Sequence, residues 1–374
     1  MVFQRGKKPS TQNRANASSD SPQASWTPAK TVYSREAFWL DAWYHGRWWL
    51  WLLWPLSLLL QGAAALRRRY LQARAQPFSV PVIVVGNITL GGTGKTPVII
   101  ALVRYLQGQG LRPGVISRGY GGTAPSYPYT VTPTSPVSES GDEPLLIALE
   151  TGCPVVVGAN RLAATEQLIR DHGCDLVLSD DGMQHYKLSR QWEICLLDGV
   201  RLLGNGLCLP AGPLREHPRR LNEVDCVVLN GAPAAKLDAV TQQTAQPTYA
   251  MQLKPSHWCN LLTGEKRSLN ELNFAQQTLV NAVSGIGNPE RFFTTLRELG
   301  IVVRGQAFAD HHAFSADDLA YVGSKPLLMT AKDAVKCQSF AQPDWWYLSV
   351  EAELPDTFFQ QFNEFLARSG LAGR

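Results

Sequence analysis

Beyond residue 80, hydrophobic positions form short, wholly apolar runs separated by longer segments with helical spacing. A run such as Val82–Val85 has no polar position, so a strand made of it must be covered on both faces. Val98–Gln107 and Arg161–His172 are two of the intervening predicted helices. Apolar strands that alternate with helices predict an α/β fold with a parallel sheet and helices on both faces. The predicted strands of this region are Val82–Val85, Gly114–Ser117, Val155–Val157, Leu176–Leu178, Ile194–Leu197 and Cys226–Leu229.

The pattern loosens over residues 231–275, which we interpret as a linker or β-ribbon. A second series of strands and helices follows it, and this series predicts a smaller α/β domain over residues 276–374. Residues 76–230 then form the first and larger domain. The elements predicted in the second series are the strands Leu279–Val283, Leu327–Met329 and Trp346–Val350 and the helices Pro289–Leu299 and Thr357–Ala367.

The N-terminal region has two parts of opposite character. Residues 1–34 are polar and predict a disordered tail. Within residues 35–75, Trp48–Leu66 is uncharged and lies between Arg47 and the cluster Arg67–Arg69. As a helix it is about 28 Å long, close to the thickness of a bilayer core. Its tryptophans favour a helix that lies in the membrane interface, although packing on the protein's own core is an alternative.

Composition and charge exclude some classes of protein. The 374 residues carry a formal net charge of +4 and no basic stripe with interleaved aromatic residues, so we expect no nucleic-acid partner. The seven cysteines are scattered and odd in number. That pattern is typical of reduced thiols in the cytoplasm and argues against a disulfide framework or a zinc site. No feature indicates an obligate protein partner.

The segment Pro81–Pro97, PVIVVGNITLGGTGKTP, joins an apolar strand to a helix through a glycine-rich loop. Such a loop turns its backbone N–H groups toward phosphate oxygens, while Lys95 reaches the terminal phosphates and Thr96 ligates Mg²⁺. The strict P-loop pattern requires a glycine where Thr89 stands, but the order of strand, glycine-rich loop and helix and the sequence Gly94-Lys95-Thr96 agree with it. We therefore predict a P-loop NTPase-like fold that uses ATP and Mg²⁺. The predicted nucleotide-binding residues are Thr89, Gly91, Gly92, Thr93, Gly94, Lys95 and Thr96.

A second motif supplies carboxylates for the metal. Asp180 and Asp181 follow the apolar run Leu176–Leu178. Paired aspartates are common on protein surfaces, but here they follow a buried strand downstream of a glycine loop. This context is typical of a Walker B site, in which an aspartate at the end of a strand holds Mg²⁺ directly or through water.

Three further polar, glycine-rich clusters follow predicted strands, where α/β proteins form their sites. They are Ser117–Gly122, Gly141–Pro144 and Gly204–Glu216. The arginines in or near them offer guanidinium groups to phosphates, although any one could be an ordinary surface charge. These arginines are Arg118, Arg161 and Arg215.

The second domain contains the segment Phe308–Phe314, FADHHAF. Its neighbouring histidines, His311 and His312, could suggest a metal site beside Asp310. Adjacent side chains point in different directions, however, and no third ligand follows at helical spacing. A general base, or the hydrogen-bonded partner of one, is the better interpretation.

Taken together, these segments resemble the tetraacyldisaccharide 4′-kinase family, which phosphorylates a lipid A precursor. The resemblance covers about residues 38 to 350, and the family's loop also lacks the first glycine of the strict pattern. The motifs that carry it are GNITLGGTGKTP, GVISRGYGG, GDEPLLIA, SDDGMQHYKLSR, LLDGVRLLGNGLCLPAGPLRE, VSGIGNPERFF, FADHH and MTAKDAVKC.

The resemblance implies transfer of the γ-phosphoryl group of ATP to the 4′-hydroxyl of tetraacyldisaccharide 1-phosphate, giving lipid IVA. It also implies two α/β domains joined by a β-ribbon, on the cytoplasmic face of the bacterial inner membrane. Asp142 and His311 are the implied catalytic pair, with Lys95 on the phosphates. Arg161 and Arg215 are implied to contact phosphates of the substrate or of the nucleotide, and Arg118 is predicted to serve the substrate beside them. The implied metal-binding residues are Thr96, Asp180, Asp181 and Glu216.

Two alternatives remain at this point. One is a P-loop kinase with a small soluble acceptor. The other is a MinD-like membrane-associated ATPase switch, which usually carries a second lysine early in its loop. Ile88 to Gly92 contains no lysine, so the lipid-sugar kinase is the prediction we carry forward.

Overall fold

In the computed structural model the described strands form one 13-stranded sheet. Residues 35–272, 274, 279–323 and 325–371 are described, so the predicted disordered tail, 1–34, lies outside the described residues. The strands are β1 (Val82–Gly86), β2 (Pro113–Ser117), β3 (Tyr129–Val131), β4 (Val155–Val157), β5 (Leu176–Asp180), β6 (Trp192–Asp198), β7 (Cys226–Asn230), β8 (Thr248–Asn260), β9 (Lys266–Ser268), β10 (Val280–Ser284), β11 (Val303–Ala307), β12 (Leu327–Thr330) and β13 (Trp345–Glu353).

The helices connect most of these strands. They are α1 (Arg35–Tyr44), α2 (Trp54–Gln72), α3 (Lys95–Gly108), α4 (Val137–Ser140), α5 (Asp142–Thr151), α6 (Arg161–His172), α7 (Ala234–Thr241), α8 (Pro289–Glu298), α9 (Ala331–Cys337) and α10 (Asp356–Arg368). Short 3-10 helices add Trp48–Leu53, Pro218–Asn222, Asp317–Val322 and Gln338–Phe340.

The strand order is β11-β10-β12-β13-β8-β7-β6-β1-β5-β2-β4-β3, and β9 pairs with β8. Neighbours are parallel except where β3 meets β4 and where β8 meets β9 and β13. The long strand β8 pairs in parallel with β7 and in antiparallel with β13, so it joins the two parallel parts. The predicted α/β class is confirmed. The stretch predicted as a linker or ribbon contains α7, β8 and β9, and the domain boundaries stay a prediction.

Along the parallel strands β1, β2, β4, β5, β6 and β7, alternate residues belong to two hydrophobic cores on opposite faces of the sheet. Helices α3, α5 and α10 cover one face and α6 covers the other, which explains the wholly apolar strands. In α10, Phe362 and Phe365 stack on Trp192 of β6, with ring centroids 4.9 and 5.3 Å apart. The last helix of the chain therefore packs on the first part of the sheet.

The stretch of residues 123–144, which is rich in Pro, Ser and Thr, is partly regular. It contains β3, which pairs with β4 at the edge of the sheet, and α4, which follows Pro136. Helix α5 also begins inside it, at Asp142. The Pro- and Ser-rich composition hides these elements because they are short.

The apolar N-terminal segment is anchored at one face only. Ser57 of α2 is fully buried, where its Oγ donates to the carbonyl of Cys208 (2.7 Å) and accepts from the N–H of Ala211 (3.2 Å). The opposite face is open, and Trp48 and Leu59 are 76% and 73% exposed. Within the described ranges, Trp48–Gln72 is the one helical segment long and apolar enough to cross a membrane.

Candidate active site

The glycine-rich loop between β1 and α3 contains two residues in the left-handed region of backbone conformation. Gly91 and Gly94 have φ angles of +97° and +91°, in a region that disfavours residues with a Cβ. A Cβ on Gly94 would also lie 2.5 Å from Nδ2 of Asn230. No side chain caps the start of α3 at Gly94, so the first N–H groups of the helix face a site suited to an anion.

Three polar side chains hold this loop in place. Nδ2 of Asn87 donates to the carbonyl of Thr89 (2.9 Å), and Nδ2 of Asn230 donates to that of Thr93 (3.1 Å). Nη2 of Arg201 donates to the carbonyl of Gly92 (2.6 Å). These three bonds satisfy carbonyl groups of the loop and use none of its N–H groups.

The segment Pro213–Arg215 pairs with the loop from the other side. The N–H of Leu90 donates to the carbonyl of Pro213 (2.9 Å), and the N–H of Arg215 donates to that of Ile88 (2.7 Å). The predicted cluster Gly204–Glu216 therefore contacts the glycine-rich loop directly, through backbone hydrogen bonds.

The two predicted carboxylates lie at the end of β5, next to β1. Asp181 accepts from Nη1 of Arg215 (3.1 Å) and lies 3.6 Å from Nζ of Lys95. Burial raises the pKa of Asp181, but Lys95 and Arg215 outweigh it and hold that pKa below its usual range. The P-loop lysine and the paired carboxylates thus meet, as the motif predicts.

Asp180 is enclosed. Its Oδ2 accepts from the hydroxyl of Ser117 (2.9 Å), whereas Oδ1 has no hydrogen-bond partner among the described residues. Burial, followed by the charge of Glu143, raises the pKa of Asp180. An unpartnered, buried carboxylate oxygen is costly unless a cation balances it, so this site fits Mg²⁺. The described residues contain no group of three or more His, Cys, Asp or Glu side chains that could hold a metal by themselves.

The predicted arginines take different positions. Arg215 points at Asp181, and Arg118 is exposed directly after β2. Arg161 is 3% exposed and donates from Nη2 to the backbone carbonyl of Asp180 (2.8 Å). Burial lowers the pKa of Arg161 to about 10. Arg161 therefore lies behind the carboxylates, and its predicted contact with substrate stays a prediction.

Glu216 belongs to a charged network beside the loop. Its Oε1 accepts from Nε2 of Gln184 (2.6 Å), Oε2 bonds to the hydroxyl of Tyr186, and Nε of Arg220 lies 3.4 Å away. Gln184 also donates to the carbonyl of Asn87 (3.3 Å). Gln184 therefore lies between Glu216 and the start of the glycine-rich loop. The role of Glu216 as a metal ligand stays a prediction.

Asp142 and His311 are brought together from distant parts of the chain. Oδ2 of Asp142 lies 3.0 Å from Nδ1 of His311, and Oδ1 accepts from the N–H of Glu143 (2.9 Å). Burial raises the pKa of Asp142, but His311 and Lys332 outweigh it and hold that pKa below its usual range. The hydrogen bond to Asp142 raises the pKa of His311 against the effect of burial.

The glycine loop after β2 connects this pair to the carboxylates of β5. A Cβ on Gly141 would lie 2.8 Å from the carbonyl of Tyr120, so the two predicted clusters SRGYGG and GDEP pack backbone to backbone. The ring of Tyr120 lies 5.0 Å from that of His311. Because Ser117, the last residue of β2 before this loop, donates to Asp180, the loop connects the two groups of predicted site residues.

The sequence did not single out several residues of this site. They are Asn87, Glu143, Arg201, Asn230, Arg291 and Lys332, of which Arg291 donates to Oδ1 of Asn230 (2.7 Å). All of these except Asn230 lie within motifs that carry the family resemblance, and these motifs offered a signal. Asn230 is a common residue type whose position depends on how the loops meet.

The profile of a family described as tetraacyldisaccharide-1-P 4′-kinase, LpxK, matches residues 49–367. The chain belongs to this family. It is 47% identical to the tetraacyldisaccharide 4′-kinase of Pseudomonas putida (strain W619), over 88% of this chain and 96% of that relative. It is 45% identical to that of Histophilus somni (strain 2336), over 85% and 94%.

The fold of this family member is similar to a crystal structure of LpxK from Aquifex aeolicus in complex with ATP. The TM-score is 0.70 at 26% sequence identity, and the match covers 86% of this chain and 99% of that chain. The predicted family, the P-loop kinase-like fold and the identification as a kinase are confirmed. The alternative of a MinD-like switch is not favoured.

Proposed function

We propose that this protein transfers the γ-phosphoryl group of ATP to the 4′-hydroxyl of tetraacyldisaccharide 1-phosphate, giving lipid IVA and ADP in lipid A biosynthesis. The observation that carries the proposal is that two groups of polar side chains are connected through the loop after β2. One comprises Asp180 and Asp181 beside the glycine loop. The other comprises Asp142 and His311, in contact at 3.0 Å, which a nucleotide switch has no need of.

In the proposed reaction the 4′-oxygen of the sugar forms a bond to the γ-phosphorus, and the bond from that phosphorus to the β–γ bridging oxygen breaks. The carboxylate of Asp142 accepts the proton of the 4′-hydroxyl. His311 orients that carboxylate through its Nδ1. Lys95 balances the charge that gathers on the phosphate oxygens.

Mg²⁺ is the second proposed cofactor, and when bound it would neutralise charge on the β- and γ-phosphates. Thr96, in the first turn of α3, and the unpartnered Oδ1 of Asp180 support this assignment. Asp181 and Glu216 are the other proposed metal-binding residues. Mg²⁺ is commonly held by one or two carboxylates together with substrate phosphates and water.

Arg118, Arg161 and Arg215 are proposed to serve phosphate groups of the substrate or of ATP. Arg215 supports this best, because its side chain is 27% exposed and its guanidinium lies beside Asp181. An incoming phosphate would compete with Asp181 for that guanidinium.

We further propose that α2 lies in the cytoplasmic face of the bacterial inner membrane. Exposed leucines of α2, together with the exposed tryptophans of α2 and of the preceding 3-10 helix, favour insertion, and Arg67–Arg69 favour anionic headgroups. A substrate with four acyl chains stays in a bilayer, so the enzyme must reach it there. The proposed domain division, with residues 231–275 between two α/β parts, is supported by the position of β8 between β7 and β13.

The reaction is tested with purified protein, radiolabelled ATP, Mg²⁺ and tetraacyldisaccharide 1-phosphate in mixed micelles. Label is expected in the lipid with wild-type protein and not with Lys95→Ala. ATP hydrolysis without labelled lipid would refute the proposal. A deacylated disaccharide 1-phosphate, supplied without detergent, tests the soluble-acceptor alternative, and equal turnover on it would replace the lipid acceptor with a soluble one.

The membrane proposal is tested by co-sedimentation with vesicles of anionic phospholipid. Replacing Trp51, Leu52 and Leu59 by glutamine should release the protein from the vesicles, because these side chains are 62–73% exposed. The matched control is Leu262→Gln, which changes a leucine that is 55% exposed in the turn between β8 and β9. Equal sedimentation of the triple variant and this control would contradict the proposal.

A further inference from the structure

A partly buried ammonium group lies beside the proposed catalytic pair. Lys332, in the first turn of α9, has a side chain that is 17% exposed. Its Nζ lies 3.2 Å from Oε1 of Glu143 and 3.4 Å from Oδ1 of Asp310. It also lies 3.3 Å from Nε2 of His311 and 3.9 Å from Oδ2 of Asp142.

These contacts determine which nitrogen of His311 carries the proton. An ammonium group donates hydrogen bonds and accepts none, so Nε2 of His311 must accept from Lys332. The proton of the neutral ring then resides on Nδ1, which faces Oδ2 of Asp142 at 3.0 Å. A protonated imidazole would place an N–H opposite the ammonium, which is unfavourable.

We propose that Lys332 is a positioning residue, which fixes His311 as the Nδ1–H tautomer and keeps Asp142 a carboxylate that can accept the substrate proton. The inference deepens the proposed kinase reaction and rests on it. Lys332 contacts the two residues of the pair and acts through them. It also joins α9 to the start of α5 through its contact with Glu143.

The charges around the pair come from three elements. Helix α5 supplies Asp142 and Glu143, and the segment after β11 supplies Asp310 and His311. Helix α9 supplies Lys332, Lys336 and Asp333. Lys336 lies 3.8 Å from Asp142 but is committed to Asp333, whose Oδ1 it contacts at 2.8 Å.

The neighbours of Lys332 keep it charged. Burial lowers the pKa of Lys332, but Glu143, Asp142 and Asp310 outweigh burial and raise that pKa above its usual range. Lys332 in turn contributes to the lowered pKa of Asp142. Removing the ammonium group therefore leaves the buried carboxylate of Asp142 with less positive charge beside it, so the pKa of Asp142 must rise.

The experiment compares the pH dependence of kcat in Lys332→Met, Lys332→Gln and Lys332→Arg. In Lys332→Met we expect kcat to fall roughly tenfold or more, with the KM for ATP unchanged. The acid limb of the kcat profile should move up by about one pH unit, because Asp142 must be ionised to act. Lys332→Gln can still donate to Nε2, so it should retain more kcat but show the same shifted limb. Lys332→Arg should restore the limb.

The matched control is Lys254→Met, which removes a lysine paired with Glu353 on the exposed surface of β8 and β13. It should leave the profile unchanged. A purely structural role for Lys332 would lower the unfolding temperature and leave the acid limb where it is. A limb at the wild-type pH in Lys332→Met and Lys332→Gln, or an unchanged kcat, would overturn the inference. If Lys332→Met does not fold, Lys332→Gln carries the same test.

The tautomer has a test that does not involve the reaction. In protein labelled with ¹⁵N-histidine, the shifts of His311, assigned with a His311→Gln variant, should show a protonated Nδ1 and an unprotonated Nε2. A proton on Nε2 would overturn the inference. Wild-type protein that leaves the lipid unlabelled would instead overturn the proposed function, so the two failures are distinguishable.

Discussion

Gly94→Ala should weaken ATP binding because Gly94 is restricted in two independent ways. Its φ angle is +91°, and a residue with a Cβ in the left-handed region costs about 1–2 kcal/mol. The new Cβ would also lie 2.5 Å from Nδ2 of Asn230. Asn230 would have to move away from the carbonyl of Thr93, with the loss of a hydrogen bond that contributes about 1 kcal/mol.

Together, the backbone strain and the lost hydrogen bond destabilise the phosphate-binding conformation of the loop by about 2–3 kcal/mol. If the free loop relaxes, this cost falls on binding, and the Kd for ATP rises roughly 30- to 150-fold. Isothermal titration with ATP measures the change, and thermal unfolding checks that the variant is folded. Gly108→Ala is the control, since Gly108 lies at the other end of α3 with no atom within 4 Å of a new Cβ. A folded Gly94→Ala protein that binds ATP within threefold of wild type would refute the reasoning.

Three further substitutions test other parts of the structure. Asp142→Asn keeps the shape of the side chain but cannot accept the substrate proton, so kcat should fall by roughly 10²–10⁴-fold with ATP affinity retained; equal kcat would remove Asp142 from its role. Phe362→Ala should lower the free energy of unfolding by about 3–5 kcal/mol, measured in urea, because it empties a fully buried site against Trp192. Ser57→Ala should cost about 1–3 kcal/mol in the same measurement, because it leaves the N–H of Ala211 and the carbonyl of Cys208 unpaired, and an unchanged midpoint would contradict the assigned anchor.

The sequence predicts the P-loop region well because its signals are local. The predicted strand Val82–Val85 differs from β1 by one residue, and the predicted helix Val98–Gln107 lies inside α3. The apolar run and the glycines suffice to identify these elements. The paired aspartates were predicted from the same kind of signal, since they directly follow an apolar strand.

The remainder of the site depends on long-range contacts. Asp142 and His311 are 169 residues apart, and only the family resemblance linked them. Arg161 was predicted to serve phosphates, yet its guanidinium donates to the backbone of Asp180; a sequence pattern cannot distinguish a buried arginine from an exposed one. The contacts of Lys332 cannot be predicted from its place on a short helix, because the three carboxylates around it come from distant parts of the chain.

The attachment of α2 affects how truncated forms of this protein can be interpreted. Ser57 bonds to residues 208 and 211, and the same stretch of chain pairs through Pro213 and Arg215 with the backbone of the phosphate-binding turn. Deleting the N-terminal helices would therefore remove a support of the catalytic centre together with the lipid-facing surface. Inactivity of a shortened protein would not show that lipid contact is needed, whereas polar replacements confined to the outer face leave that support intact and can separate the two effects.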